Sequence, residues 1–178
     1  LLGLLSWCAG LVAFLPARIA TAPVLGLSVL SLPLLASLQF YAGFPLRVIT
    51  AEISRWLLSA AYSSERSGAN LVVQGQLIIV DAPCSGVQMA WLGYFVACVV
   101  ALAAQRDNRG FCVRLPTVGV LVLVGNVVRN TVLVAAQAAG AALPPWGHEA
   151  VGLVVLALVC GAIAWVMAGA RPNWSAAA

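Results

Sequence analysis

Apolar residues run along this chain in long blocks separated by short polar breaks. One block covers roughly 1–15 and stops at Pro16 and Arg18. A second covers roughly 23–42 with Pro33 inside it, where proline is tolerated if neighbouring helices satisfy the freed backbone groups. Further blocks cover roughly 85–104, 115–136 and 150–168. Crossing the hydrocarbon of a bilayer takes about 20 apolar residues, so these blocks predict about five spans.

The interruptions are as informative. Between 44 and 62, Val48, Ile49, Ile53, Trp56 and Leu57 recur at helical spacing, but Arg47, Glu52 and Arg55 break the block. That pattern predicts an interfacial amphipathic helix. Residues 63–70 are polar and read as a turn-rich loop. Two short apolar runs, 71–73 and 77–80, flank Gln74-Gly75-Gln76 and predict a β-hairpin. An open strand edge cannot face lipid, so the hairpin is expected outside the hydrocarbon. The fold class expected is an all-α membrane protein. It is a polytopic transmembrane helix bundle of about five spans, with an interfacial helix and a small extracytoplasmic β-hairpin. All of 1–178 forms a single domain. The chain begins at Leu1 with no charged segment ahead of the first block, so it does not read as a signal peptide. Its N-terminus is expected to be truncated.

Composition agrees with a lipid solvent. The chain is 63% hydrophobic and 8% charged, against about 25% charged in soluble domains. The net charge of +4 comes from arginines set mostly at block ends, with no basic tract of the kind that binds nucleic acid. Arg18, Arg106, Arg109, Arg114 and Arg171 fall on one side, opposed by Asp107. Arg47, Arg55 and Arg66 fall on the other, with Glu52, Glu65, Asp81 and Glu149. The excess of arginine predicts that the first side is cytoplasmic. A multi-pass protein of a prokaryotic cytoplasmic membrane is expected, with the hairpin outside. Of five cysteines, Cys8, Cys98 and Cys160 lie in apolar blocks and Cys112 beside the arginine-rich loop. Cys84 stands in a polar segment at the other face. No CxxC or Cys/His spacing predicts a metal site, no cofactor is expected, and no resolving cysteine supports a redox role.

Three features of the outer face carry chemistry. In Asp81-Ala82-Pro83-Cys84-Ser85-Gly86, Cys84 precedes a span and Pro83 suits a first helical turn. The positive end of the helix dipole and its free amides favour a thiolate there and would receive an oxyanion. Taken alone, such a cysteine is more often a small residue packed at a helix start. In Asn126-Val127-Val128-Arg129-Asn130, helical spacing puts Asn126, Arg129 and Asn130 on one face. Arg129 is expected about 10 Å inside its span, where a charge costs about 2.5–3.5 kcal/mol. A structural cluster binding helices together is as good a reading of that face. His148, the one histidine, follows a Pro-Pro-Trp-Gly turn and has the group best matched to proton transfer near neutral pH. By itself it would pass for a solvated loop residue. Together, a cysteine, a histidine and an arginine near three helix ends on one side make an acyl-transfer set.

On Pro83-Cys84-Ser85-Gly86, Asn126-Val127-Val128-Arg129-Asn130 and His148 before a last apolar block, the sequence resembles the exosortase/archaeosortase family. The resemblance covers roughly 40–170. It implies a membrane-embedded cysteine protease or transpeptidase. The substrates it implies are secreted proteins bearing a C-terminal sorting signal: a short motif, a transmembrane helix and a basic cluster. Cleavage would occur at the extracytoplasmic face through a thioester acyl-enzyme, followed by transfer to a lipid or glycan acceptor. Carried over, Cys84 is the nucleophile, His148 the acid and base, and Arg129 the group that orients the carbonyl or holds the oxyanion. Ser85, Asn126 and Asn130 are supporting candidates, with Gln88, one turn after Cys84. The partners implied are the substrate proteins and the bilayer, with no nucleic acid. The competing readings are a purely hydrolytic intramembrane peptidase and a non-catalytic transporter subunit or assembly factor.

Overall fold

The computed structural model describes residues 2–16, 18–78, 85–140, 144 and 146–169. In chain order the elements are α1 (Leu2–Phe14), α2 (Thr21–Leu30), α3 (Leu35–Leu58), β1 (Ser64–Ser67), β2 (Asn70–Val73), β3 (Gln76–Ile78), α4 (Val87–Ala103), α5 (Asn108–Ala138) and α6 (Gly147–Ala168). Among the described residues, α5 and α6 are long and apolar enough to cross a membrane. The pair α2 and α3 also passes, bent by 90° at its break. Length therefore supports two crossings, or three with the bent pair, against the five expected. At 17 residues α4 falls just short, and α1 has 13.

The second block does not form one helix. It breaks around Pro33, and its latter half continues into the segment read as a separate interfacial helix, giving the 24 residues of α3. The face of α3 that packs against the bundle is made largely of small and hydroxylated residues. Gly43, Thr50, Ala51, Ser54 and Leu58 are buried, while Ile49, Ile53, Trp56 and Leu57 face outward. Lipid is as apolar as leucine, so small and hydroxylated residues gain more from helix contact than large apolar ones do. On α5, Val120, Val124, Val128 and Val132 likewise form an exposed stripe.

Helices α4, α5 and α6 share the main core, built from Met89, Ala97, Cys98 and Ala101, then Phe111, Val118 and Val122, then Val155, Val159, Ile163 and Met167. Helix α2 lies against α4 and α5, and α3 against α5 and α4. The arginine-rich stretch 105–114, expected as a loop, is largely the start of α5. Asp107 caps it by accepting from the Gly110 N–H at 3.3 Å. At this end Arg106 donates from Nε to the Met167 carbonyl at 2.9 Å and from Nη2 to that of Gly169. Arg114 donates to the Val166 carbonyl at 3.2 Å. The two arginines thus satisfy the last carbonyls of α6 and oppose its negative dipole end.

At the opposite end the hairpin is present as β2 and β3, joined through Gln74 and Gly75 at φ 52° and 78°. Positive φ at both central residues is the turn that matches strand twist. The stretch read as a loop contributes a further strand, giving an antiparallel sheet in the order β1-β2-β3. Leu71, Val73 and Ile78 bury against Ala51 and Leu58 of α3 and Val134 of α5. Glu52 ties the sheet down, meeting Arg55 and Arg66 at 2.6 Å each.

Candidate active site

Asp81, Ala82, Pro83 and Cys84 lie outside the described residues, and so does the expectation that Pro83 opens a helical turn. Description resumes at Ser85, which is buried and whose hydroxyl accepts from the Val87 N–H at 3.4 Å. That bond occupies one of the orphan amides at the start of α4. Gly86, which caps the helix, has φ 80°, a left-handed conformation that costs other residues about 1–2 kcal/mol. Its missing side chain matters as much. A Cβ there would stand 2.9 Å from Cγ and Nδ2 of Asn126, so the start of α4 rests directly on that amide.

Asn126 and Asn130 are buried at 2% and 3% exposure. The Asn126 amide donates to Thr50 Oγ1 at 3.0 Å, and the Asn130 amide to Ser54 Oγ at 3.0 Å. Donors four apart on α5 meet acceptors four apart on α3, so the two helices run in the same direction with polar rungs between them. Arg129 does not share that face. It turns towards α6, where a Cβ on Gly152 would meet its Nε at 3.1 Å and its Cζ and Nη2 at 3.4 Å. The expectation of one common face therefore gives way to two. The asparagines lock α3 to α5, and the arginine lies over α6 at a glycine that leaves it room. The physical reason is the 100° step between neighbours on a helix, which lets adjacent helices on different sides claim residues 129 and 130 separately.

Arg129 opens into a cleft of about 460 Å³ lined by Gln88, Met89, Leu92, Glu149, Gly152, Leu153 and Leu156. Its polar part joins Gln88 of α4, Arg129 of α5 and Glu149 of α6. Its apolar part runs between α4 and α6, where Leu92 and Leu153 are exposed. Arg129 stands nine residues before the end of α5, about 14 Å along the axis, somewhat deeper than expected. His148 is the second residue of α6, not part of a loop. It is exposed and lies one turn before Gly152 on the same side of the helix. The turn ahead of it is closed by the Gly147 N–H on the Pro144 carbonyl at 2.7 Å.

The structure thus brings Gln88 and Arg129 into one cleft, sets His148 a turn above it, and gives Asn126, Asn130 and Ser85 fastening duties behind it. Two contributors were not singled out from sequence. Glu149 was legible only as a charge next to His148, and Gly152 carried no signal as a lone glycine in an apolar block. Among the described residues no group of acidic, histidine and cysteine side chains is arranged to hold a metal.

The family model described as transmembrane exosortase matches residues 1–165. No curated protein and no solved structure matches the chain.

Proposed function

The chain belongs to the transmembrane exosortase family, and from that premise we propose that it is a membrane-embedded cysteine transpeptidase cutting the C-terminal sorting signals of secreted proteins. The observation that carries the reading is the cleft at the head of α4. It gathers a half-buried arginine, an amide side chain and a carboxylate beside a helix whose sequence is preceded directly by Cys84-Ser85-Gly86.

The Cys84 thiolate attacks the scissile carbonyl, forming a C–S bond while the carbonyl oxygen takes the negative charge. The Arg129 guanidinium, with donors in a fixed fork, orients that oxygen and stabilises it. His148 gives its proton to the leaving amine as the C–N bond breaks, and a thioester remains. An acceptor nucleophile then loses its proton to His148 and attacks the thioester, which releases the thiolate. Gln88 offers a further amide to the substrate backbone. Ser85, Asn126 and Asn130 act indirectly by fixing the start of α4 and its neighbours. The acceptor is a lipid or glycan of the envelope, and the site faces outward from the cytoplasmic membrane.

The test is processing of a co-expressed secreted protein carrying a motif, a transmembrane helix and a basic cluster at its C-terminus. Cys84→Ala is expected to abolish it, and Arg129→Ala and His148→Ala to reduce it at least a hundredfold. Mass spectrometry of the product C-terminus separates transfer from hydrolysis. Undiminished processing by Cys84→Ala would refute the mechanism and favour a non-catalytic transporter subunit or assembly factor.

A further inference from the structure

The cleft beside Arg129 is polar at one end and apolar along the rest. Glu149, Leu153 and Leu156 line it from α6 at the spacing of one helix face. Gln88 and Leu92 line it from α4, one turn apart. Both helices begin at the polar end, Gln88 being the second residue of α4 and Glu149 the third of α6. Leu92 and Leu153 are exposed, so the apolar wall is open to the surroundings of the bundle.

Trp146 sets the level of the cleft in a bilayer. It is exposed, immediately ahead of α6, and tryptophan settles among the headgroups. At 1.5 Å per residue, Glu149 stands about 5 Å below it and Leu153 and Leu156 about 10 and 15 Å below it. The polar mouth therefore lies at the headgroups and the apolar wall in the hydrocarbon.

The mouth carries charge of both signs. Arg129 presents donors in a fork that matches a phosphate, and the dipoles of α4 and α6 add positive potential at their first turns. Glu149 is exposed and makes no ion pair among the described residues, so a cation can reach it. Size narrows the occupant further. A helix about 10 Å across rising about 5.4 Å per turn would fill the 460 Å³ with a single turn, so a transmembrane helix finds no seat there. A volume of this order suits a small ligand.

We infer that the cleft binds a bilayer phospholipid with a primary-amine headgroup. Its phosphate meets Arg129, its ammonium meets Glu149, and an acyl chain lies along Leu92, Leu153 and Leu156. An acceptor role for that lipid rests on the function proposed above, whereas its binding does not.

The experiment uses the full chain carrying Cys84→Ala, so that binding alone is read. The vesicles hold equal parts of phosphatidylethanolamine, phosphatidylglycerol and phosphatidylcholine with matched acyl chains. Photoreactive benzoylphenylalanine replaces Leu153 or, as the control, Val124 on the exposed stripe of α5, and mass spectrometry identifies the lipid captured. At position 153 phosphatidylethanolamine is expected to exceed each of the others about fivefold, the worth of one exposed ion pair. At position 124 the adducts should follow the vesicle composition. Glu149→Gln is expected to remove the preference, and Glu149→Asp to keep it. Capture at 153 in proportion to the vesicle composition, a preference that survives Glu149→Gln, or capture of a second copy of the chain in place of lipid overturns the inference. Equal capture of phosphatidylcholine overturns the amine headgroup. Such a failure leaves the cysteine mechanism standing, and undiminished processing by Cys84→Ala would remove the acceptor role while leaving the lipid bound.

Discussion

Replacing Gly86 by alanine perturbs the junction on which the cleft depends. Two costs add there. Alanine at φ 80° is strained by about 1–2 kcal/mol. Its Cβ would also stand 2.9 Å from Cγ and Nδ2 of Asn126, closer than a Cβ comes to non-bonded heavy atoms, and a tight 3.3 Å from its Cβ. Asn126 must move, and its 3.0 Å bond to Thr50 goes with it. A hydrogen bond between membrane helices contributes about 0.6 kcal/mol on average and up to about 1.7. The sum is about 2–3 kcal/mol. Gly75 supplies the control, because it has φ 78° with nothing within 4 Å of its added Cβ. Gly75→Ala should cost the strain alone, about 1–2 kcal/mol. Unfolding in mixed micelles by titration with dodecyl sulfate measures both. Truncating the neighbour should relieve the clash, so Gly86→Ala with Asn126→Ala is expected to be less than additive. If Gly86→Ala destabilises no more than Gly75→Ala, Asn126 does not carry the head of α4 and the account of the junction is wrong.

Other outcomes follow from the same contacts. A double-mutant cycle on Asn130→Ala and Ser54→Ala should return a coupling of about 0.6 kcal/mol and no more than about 1.7; a value near zero would mean that rung does not fasten α3 to α5. Val124→Arg, on the exposed stripe of α5, should cost about 2.5–3.5 kcal/mol in an insertion assay, and free acceptance would put that stripe in water. Glu52→Gln releases both Arg55 and Arg66, so limited proteolysis across residues 64–78 should quicken, more visibly at low salt; an unchanged cleavage rate would show that the apolar contacts of the sheet suffice.

Hydropathy blocks made the helices legible, because a span must be continuously apolar whatever it packs against. The ends were harder to read. Arg106, Arg109 and Arg114 look like a loop in sequence, yet Asp107 caps a helix that takes in Arg109 and Arg114, and Arg106 and Arg114 go to the carbonyls of α6. The apolar stripe of α3 reads as the lipid face of an interfacial helix, and Ile53 and Trp56 do face outward. In lipid the informative residues were Thr50 and Ser54. Strand β1, Ser-Glu-Arg-Ser, has no apolar alternation, and it is set by pairing with β2 and by the reach of Arg66 to Glu52. Arg129 and the asparagines were identifiable as polar residues inside a span. Which neighbour each one serves depends on how α3 and α6 flank α5, and no local pattern encodes that.

The cleft around Arg129 has a wall of Leu92 and Leu153 that faces away from the bundle. A partner reaching the guanidinium along that wall comes out of the bilayer, and it diffuses in two dimensions before it reacts. Its effective concentration is then a mole fraction of lipid. Diluting a reconstituted sample with more lipid would slow the encounter in proportion, while diluting it with buffer would leave the rate unchanged. The supply of such partners would be governed by membrane area, a control on the proposed reaction that no soluble concentration describes.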